Sequence, residues 1–318
     1  MTRTVGQVYL EARRLDADLY HFHDPELIPV GLLLEARGKP VVYDMHEDAP
    51  RTMLAKHYFP TWSRSAFGNM VEAGERLAAG RFSALIAATP AIAARYGRLA
   101  DRTTVVQNFP DPAEFDGGEG LPWSARPNAV VYIGAVAENR GAIEMLRALA
   151  LVQKSLEPQL LLAGAFSPPE LLERGRREPG WERVEYHPML DRQGIAALLG
   201  RARAGLVLLA PEPRYQVAYP IKMFEYMAAG LPVVASDFPL WRSIVEGAGC
   251  GLLVDPLDPA AIRSAVEYLL LHPAEAERMG ARGREAVQQR YNWAGEETKL
   301  LEIYRTLLAT SPGAHENA

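Results

Sequence analysis

The feature that most constrains the fold of this chain is a regular alternation of short apolar segments with longer segments of helical periodicity. The apolar segments, four in the first part of the chain and six in the second, lie at residues 18–22, 40–44, 84–88, 103–107, 129–133, 159–163, 184–187, 204–209, 232–236 and 251–254. Buried parallel strands joined by crossover helices produce this alternation. The pattern therefore predicts an α/β fold, with parallel sheets that carry helices on both faces.

The two runs of strands are separated by a stretch of different character. Residues 111–127 are rich in Gly, Pro and acidic side chains and have no hydrophobic period, which predicts a linker between domains. We expect a partial first domain over residues 1–118, a second domain over 119–290, and a C-terminal helix within 291–318 that crosses back to the first domain. A short helical pattern precedes the first of only about four strands, so we expect the first domain to lack its initial strands.

Composition and charge narrow the function. The single cysteine, Cys250, excludes an internal disulfide framework and a zinc site built from several cysteines. The net charge of −5 does not indicate a positively charged binding surface, so we expect no nucleic acid among the partners. The sequence contains neither a run of about eighteen apolar residues nor the layout of a signal peptide. These features predict a cytoplasmic enzyme or binding protein.

Polar residues at the carboxyl ends of the strands are the first candidates for a site, because ligands of open α/β sheets bind there. The first strand leads into His21 and His23, and the second leads into His46. A metal site is one interpretation of the His-x-His spacing. We nevertheless expect His21 and His23 to point in different directions, and we therefore expect no metal. His46 is either a polar contact to a substrate or a loop residue bonded to the backbone.

The second domain offers an anion site. Its first strand ends at Gly134, and Arg140 precedes the following helix, whose free N–H groups and dipole favour phosphate. A plain loop between strand and helix is the alternative interpretation. Further along the chain, Pro220 suits a first helical turn and Gly230 suits the position after a helix. These two residues predict a helix of about ten residues.

Lys222 and Glu225 lie three residues apart and share a face near the start of this helix. An exposed salt bridge of little energetic value is the simpler interpretation. The helix begins, however, at the edge of the sheet where ligands bind. There a lysine can reach a diphosphate and a carboxylate can hold two vicinal hydroxyls, so both residues are candidates for a donor site.

The segment YPIKMFEYMAAGLPVVAS (219–236) resembles the donor-site helix of the retaining nucleotide-sugar glycosyltransferases of family four, which have the GT-B fold. The segments HFHDPELIPVGLLL, GKPVVYDMHED, YIGAVAENRGAIEML and YNWAGEETKLLEIY are also similar to family members that build bacterial polysaccharides. This resemblance covers nearly the whole chain. It implies two doubly wound, Rossmann-like domains facing a cleft, with the acceptor on the N-terminal domain and the donor on the C-terminal one.

The resemblance also implies roles for particular residues. Glu225 matches the glutamate that binds the nucleotide ribose, and Arg140 matches a basic contact to the diphosphate. Lys222 is expected to contact a phosphate or the donor sugar, and His46 to approach that sugar. The catalytic set implied in this way comprises His46, Arg140 and Lys222. The donor-binding set comprises Gly134, Arg140, Tyr186, His187, Met189, Pro220, Lys222 and Glu225, of which Tyr186, His187 and Met189 belong to the turn that holds the base.

Two positions depart from the family pattern, and the first is Ala135, which follows Gly134 where members carry a basic residue. Val217 stands eight residues before Glu225, where many members carry a first glutamate that contacts the donor sugar. Either Gln216 or Tyr215 substitutes for that glutamate, or the contact does not exist in this protein.

The resulting expectation is a metal-independent, retaining hexosyl-type transferase in polysaccharide or glycoconjugate synthesis. It would use no cofactor and would take a UDP- or GDP-sugar as donor, with a sugar, a lipid-linked molecule or a small molecule as acceptor. If the acceptor is lipid-linked, a peripheral contact of the protein with the inner face of the membrane is a further alternative. Two alternatives compete with this expectation. They are a nucleotide-sugar-binding subunit without turnover, and a metal-dependent hydrolase that uses His21, His23 and His46.

Overall fold

The computed structural model describes residues 2–46, 70, 72–116 and 121–310, and the chain divides into two compact units. The first unit comprises Met1–Asn108 and Ala294–Ala318, and the second comprises Phe109–Trp293. Each of the ten apolar segments of the sequence overlaps a strand. The prediction of an α/β fold with parallel sheets is therefore confirmed.

The first unit is built on a parallel sheet. Among the described residues its strands, in the spatial order β1-β2-β3-β4, are β1 Tyr20–Phe22, β2 Val41–Met45, β3 Ala84–Ala87 and β4 Thr103–Val105. Its described helices are α1 Thr2–Leu15, α2 Ile28–Glu35, α3 (residues 72–79), α4 Pro90–Ala94 and α14 Trp293–Ala309. Strand β2 is buried along its whole length, as expected for a central parallel strand covered by helices on both faces.

The second unit contains a larger parallel sheet. Its strands are β5 Ala129–Ile133, β6 Gln159–Ala163, β7 Val184–His187, β8 Ala204–Val207, β9 Val233–Ser236 and β10 Gly251–Val254. Their spatial order is β10-β9-β8-β5-β6-β7, so the chain runs outward from β5 to β7 and then starts again at β8 in the other direction. The β5/β8 pair is therefore the point at which the strand order reverses, where doubly wound sheets bind ligands.

Helices cover both faces of this second sheet. The described helices are α5 Ala113–Asp116, α6 Ala142–Leu151, α7 Glu170–Arg177, α8 Arg192–Leu199, α9 Pro213–Gln216, α10 Ile221–Ala228, α11 Pro239–Ala248, α12 Pro259–Leu271 and α13 Pro273–Gln289. Two separate apolar cores result, one on each side of the sheet. Short 3-10 turns complete the described structure of the chain at Pro25–Leu27, Gly97–Arg102, Trp123–Ala125, Glu138–Arg140, Lys154–Leu156 and Pro179–Arg183.

The segment predicted as a linker packs at its described ends against the second unit. The ring of Phe109 lies 4.8 Å from that of Phe224 and 5.5 Å from that of Tyr291. Phe115 is buried in the same core, and Trp123 packs against it. These aromatic side chains give the Gly- and Pro-rich stretch an anchor that its lack of hydrophobic periodicity conceals; its residues 117–120 lie outside the described ranges.

Candidate functional site

The loops that follow β5 and β8 are joined at the point where the strand order of the second unit reverses. Ala210 N–H donates to the Asn139 carbonyl at 2.9 Å, and the Asn139 side-chain amide donates to Glu212 at 3.1 Å. Gly134, directly after β5, has a φ of +99°, and Gly164, directly after β6, has a φ of +150°. A Cβ on Gly164 would lie only 1.9 Å from the Gly134 carbonyl oxygen, so the two backbones can meet here only because Gly164 has no side chain.

Lys222 reaches from the start of α10 into this pair of loops. Its Nζ lies 3.7 Å from the centroid of the Tyr132 ring, and a Cβ on Gly134 would lie 3.4 Å from the same atom. Nζ is buried and has no hydrogen-bond partner among the described residues. Burial lowers the pKa of Lys222 to about 7, with a further contribution from the charge of Arg140 and opposition from Glu225. Part of the lysine population is therefore neutral at physiological pH.

Tyr132 and Arg140 form the surroundings of this lysine. The Tyr132 hydroxyl donates to the Ala135 carbonyl at 2.7 Å, which fixes the ring beneath Nζ. Burial raises the pKa of Tyr132, and Arg140 opposes that rise. Arg140 closes the 3-10 turn that precedes α6, so two basic groups and a helix N-terminus meet beside β5. This arrangement suits a ligand with several negative charges.

Glu225 lies one helical turn after Lys222 on α10 and is buried, with 7% of its surface exposed. Arg192 donates to Glu225 Oε1 at 2.7 Å and also forms an ion pair with Glu114. Arg192 was not among the residues predicted from the sequence. Its signal is its position as the first residue of α8, directly after the N-cap Asp191 and close to the carboxyl end of β7.

The three residues expected to hold the base lie at and after the end of β7. The Tyr186 ring packs against Phe166, with ring centroids 5.5 Å apart. His187 Nε2 is hydrogen-bonded to Glu185 at 2.8 Å, and Met189 is 84% exposed. Arg201 and His187 hold the pKa of Glu185 at about 2, with Arg201 the larger influence and burial opposing both. Of the three candidates, the Met189 side chain offers the most surface to a ligand.

The segment before α10 positions the remaining donor-site candidates. Pro220 is the N-cap of α10, in an extended conformation. The amide of Gln216 donates to the Pro211 carbonyl at 3.1 Å, and Arg214 donates to the Tyr215 hydroxyl at 3.2 Å. Val217 is 41% exposed. Both polar residues near Val217 are thus bonded within their own loop.

In the first unit, three histidines surround Asp44 at the carboxyl end of β2. Asp44 Oδ2 lies 3.3 Å from His21 Nε2, 3.2 Å from His23 Nδ1 and 3.2 Å from His46 Nε2. The expectation that His21 and His23 diverge is wrong. Residues two positions apart in extended backbone lie on the same side, so His21 in β1 and His23 directly after it both turn toward the same carboxylate.

The Asp44 carboxylate is held mainly by these histidines. Burial raises the pKa of Asp44, but hydrogen bonds from His21 and His46 and their charges outweigh burial and hold it well below its usual range. His21 Nδ1 lies 2.5 Å from the Tyr304 hydroxyl, so α14 of the same unit fixes the His21 ring. His46 is thus part of a connected cluster and is not an isolated loop residue.

Two Rossmann-like units in one chain, the second with two basic side chains beside the point where its strand order reverses, are the architecture of the GT-B glycosyltransferases. Comparison with known families agrees. The model described as Glycosyl transferase 4-like domain matches residues 1–108, and the model described as Glycosyl transferases group 1 matches residues 127–272. The chain belongs to the family-four glycosyltransferases, as the resemblance of its donor-helix segment indicated.

Relatives and solved structures give the same result. A phosphatidyl-myo-inositol mannosyltransferase of Mycobacterium leprae is 28% identical over 305 residues, which are 93% of this chain and 75% of the relative. A glycogen synthase of Mycobacterium tuberculosis is 24% identical over 300 residues, 90% of this chain and 68% of the relative.

Two solved structures share the fold. Sucrose-phosphate synthase from Thermosynechococcus elongatus has a TM-score of 0.75 at 23% identity, and the match covers 98% of this chain and 78% of the synthase chain. Anabaena HepE in complex with UDP-glucose has a TM-score of 0.73 at 18% identity, and the match covers 95% of this chain and 82% of the HepE chain. The helices of the described ranges include none that is both long and apolar enough to cross a membrane.

Proposed function

We propose that this glycosyltransferase moves a sugar from a nucleotide-diphosphate sugar to an acceptor hydroxyl, with retention of configuration and without a metal ion at the diphosphate. The observation that carries the proposal is Lys222. Its buried Nζ stands over Tyr132 without a hydrogen-bond partner among the described residues. A buried ammonium that lacks a partner is costly, and a diphosphate beside it would supply the missing acceptors and charge.

Departure of the diphosphate builds negative charge on its oxygens, and the residues at the end of β5 are suited to stabilise that charge. Lys222 and Arg140 contribute two positive charges, and the N-terminus of α6 contributes the positive end of its helix dipole. These groups are in place before the reaction, since Gly134 and Tyr132 hold the lysine. The arrangement performs by fixed charges what a metal ion would do elsewhere.

Glu225 is proposed to bind the two vicinal hydroxyls of the ribose. Its carboxylate lies at the same edge of the sheet as Lys222, and Arg192 fixes it from one side at 2.7 Å. Tyr186, His187 and Met189 are proposed to border the base. Pro220 and Gly134 contribute backbone at the two sides of the diphosphate.

Retention follows from the family resemblance and is part of the proposal. In retaining members the leaving phosphate assists the acceptor hydroxyl on the same face of the sugar, so no nucleophilic side chain is assigned. His46 is proposed to contact the donor sugar. Asp44, 3.2 Å from His46 Nε2, orients its ring.

The relatives support the choice of substrate classes. Their names describe a mannosyltransferase that acts on a phosphatidyl-inositol and a synthase of glycogen, and the HepE structure contains UDP-glucose. We therefore propose a UDP- or GDP-sugar as donor and a sugar, lipid-linked or small-molecule acceptor. A role in polysaccharide or glycoconjugate synthesis and a peripheral membrane contact belong to the same proposal.

The test begins with UDP- and GDP-sugars, screened by thermal shift and then measured by calorimetry. Loss of a charge-assisted bond of about 1.5–3 kcal/mol lowers affinity by about 10–150-fold. We expect that loss for Lys222→Met and for Glu225→Gln, and no loss for the control Lys154→Met, whose lysine is exposed. Unchanged affinity in both site variants would refute the donor assignment. Transfer in the presence of EDTA and NMR of the product's anomeric proton test metal independence and retention; donor binding without any transfer would favour a binding subunit.

A further inference from the structure

The cluster around Asp44 has a geometry that hydrogen bonds alone do not satisfy. Asp44 Oδ2, His23 Nδ1 and His46 Nε2 form a triangle with sides of 3.2, 3.2 and 3.0 Å. The carboxylate oxygen only accepts, and each ring nitrogen carries at most one hydrogen. If both His23 Nδ1 and His46 Nε2 carry hydrogens, two donors face each other. If one of these nitrogens carries no hydrogen, its lone pair faces the carboxylate oxygen, and if neither carries a hydrogen, their lone pairs also face each other. A cation between the three atoms would remove the conflict.

The distances also fit a metal centre. Ligand bonds of 2.0–2.1 Å place the corners of a zinc tetrahedron about 3.3–3.4 Å apart. Four contacts in the cluster lie near that value: the three histidine nitrogens are 3.2–3.3 Å from Asp44 Oδ2, and His23 lies 3.0 Å from His46. The ligand atoms of His21, His23 and Asp44 lie within 4.8 Å of one another. Four of the six edges of a tetrahedron formed by these four ligand atoms therefore lie near the expected value.

Two further features point to a ligand at this cluster. Asp44 Oδ1 is buried and has no hydrogen-bond partner among the described residues, so the carboxylate has a second oxygen to offer. The Tyr304 hydroxyl lies 2.5 Å from His21 Nδ1, which leaves Nε2 directed at the cluster. Metal-ligating histidines commonly have such an outer partner on the other ring nitrogen.

We propose that His21, His23 and Asp44 bind a divalent transition-metal ion of the zinc type, with His46 as the fourth ligand. Imidazole and carboxylate are ligands that zinc accepts in a tetrahedral site. The site lies in the first unit and is separate from the donor-site residues of the second unit. With four protein ligands it has no open position, so the ion does not activate water and is not part of sugar transfer.

Metal binding would also inhibit sugar transfer, and this part of the proposal rests on the proposed function. A metal bound to His46 would hold its ring in the cluster around Asp44 and away from the donor sugar that this residue is proposed to contact. Zinc is therefore expected to inhibit transfer, and EDTA is expected to restore it.

The test is equilibrium dialysis of the full chain against Zn²⁺ after treatment with a chelator, followed by elemental analysis. We expect one zinc per chain in the wild type and in the control His272→Gln, whose histidine is exposed in the other unit. Loss of an outer partner costs about 10–100-fold in affinity, so loss of a direct ligand is expected to cost at least about 100-fold. His23→Gln should show the larger loss and Tyr304→Phe the smaller one; the side chain of His23 is 56% exposed, which favours normal folding of that variant.

A Co²⁺-loaded sample should also show the intense visible absorption of a tetrahedral site, absent from His23→Gln. Absence of stoichiometric zinc in the wild type, or equal affinity in His23→Gln, would overturn the proposal. Dialysis requires no donor and transfer can be assayed in EDTA, so failure of the metal site and failure of the proposed function are observed separately.

Discussion

The buried ammonium of Lys222 makes the stability of the second unit depend on pH. The pKa of Lys222 falls from 10.5 in an unfolded chain to about 7 in the fold. At 1.36 kcal/mol per pKa unit, holding the protonated lysine in the folded state costs about 5 kcal/mol. Between pH 7 and 10.5 the unfolded chain binds more protons than the folded one, so stability rises with pH. The full cost is present below pH 7 and disappears above 10.5.

Between pH 7 and 9 this linkage amounts to about 2 kcal/mol. We expect the free energy of unfolding of the wild type to gain that amount relative to Lys222→Met, which has no titrating group at the position. Urea unfolding of both proteins at the two pH values measures the difference, since other titrating groups cancel in the comparison. Lys154→Met, which removes an exposed lysine, should follow the wild type. The difference in the free energy of unfolding between the wild type and Lys222→Met should change between pH 7 and pH 9. A change of less than about 0.5 kcal/mol would contradict the described environment of Nζ.

Two other predictions follow from the second unit. Donor binding at pH 8 should be accompanied by proton uptake in the wild type and by none in Lys222→Met, because the lysine has a pKa of about 7 in the free protein and a diphosphate raises it. Calorimetry with a nucleotide sugar in two buffers of different ionisation enthalpy measures the uptake, and equal uptake in both proteins would refute the prediction. Ser236→Ala should lower the free energy of unfolding by about 1–3 kcal/mol, because the buried Ser236 Oγ accepts from Leu209 N–H at 2.8 Å. Ser243→Ala, at an exposed site, is its control in urea unfolding, and equal losses in the two variants would contradict the assignment.

The strands were predictable because parallel strands buried on both faces are continuous apolar runs. Strand β5, with the sequence AVVYI, is buried throughout and needs no long-range information to be recognised. The bounds of α10 were predictable for a similar reason. Pro220 and Gly230 act locally, one before the helix and one after it.

The side-chain environment of the candidate site was not predictable in the same way. The burial of Lys222 depends on Tyr132 and Gly134, which are about ninety residues earlier in the chain. The partner of Glu225 is Arg192, 33 residues away on another helix. Neither pairing has a local signal, so Lys222 was recognised as a candidate but its lowered pKa was not.

The histidine cluster was misjudged because the period-two rule of strands was applied in the wrong sense. Successive residues point to opposite faces of a strand, whereas residues two apart share a face. His21 and His23 are two residues apart, and β1 extends as far as Phe22. The His-x-His spacing therefore predicts that both rings lie on one side, and in the structure both lie beside Asp44.

The return of α14 to the first unit has a consequence for the order of folding. The second unit interrupts the first, and about 185 residues separate Asn108 from Ala294. Closing a flexible loop of that length costs about 5 kcal/mol in chain entropy. Once the second unit has folded, Trp293 N–H donates to the Pro110 carbonyl at 3.1 Å and brings the two exits of the chain together. We therefore expect the second unit to fold first during synthesis. The contact between Glu296 and Gln107 N–H is expected to form only after α14 has left the ribosome.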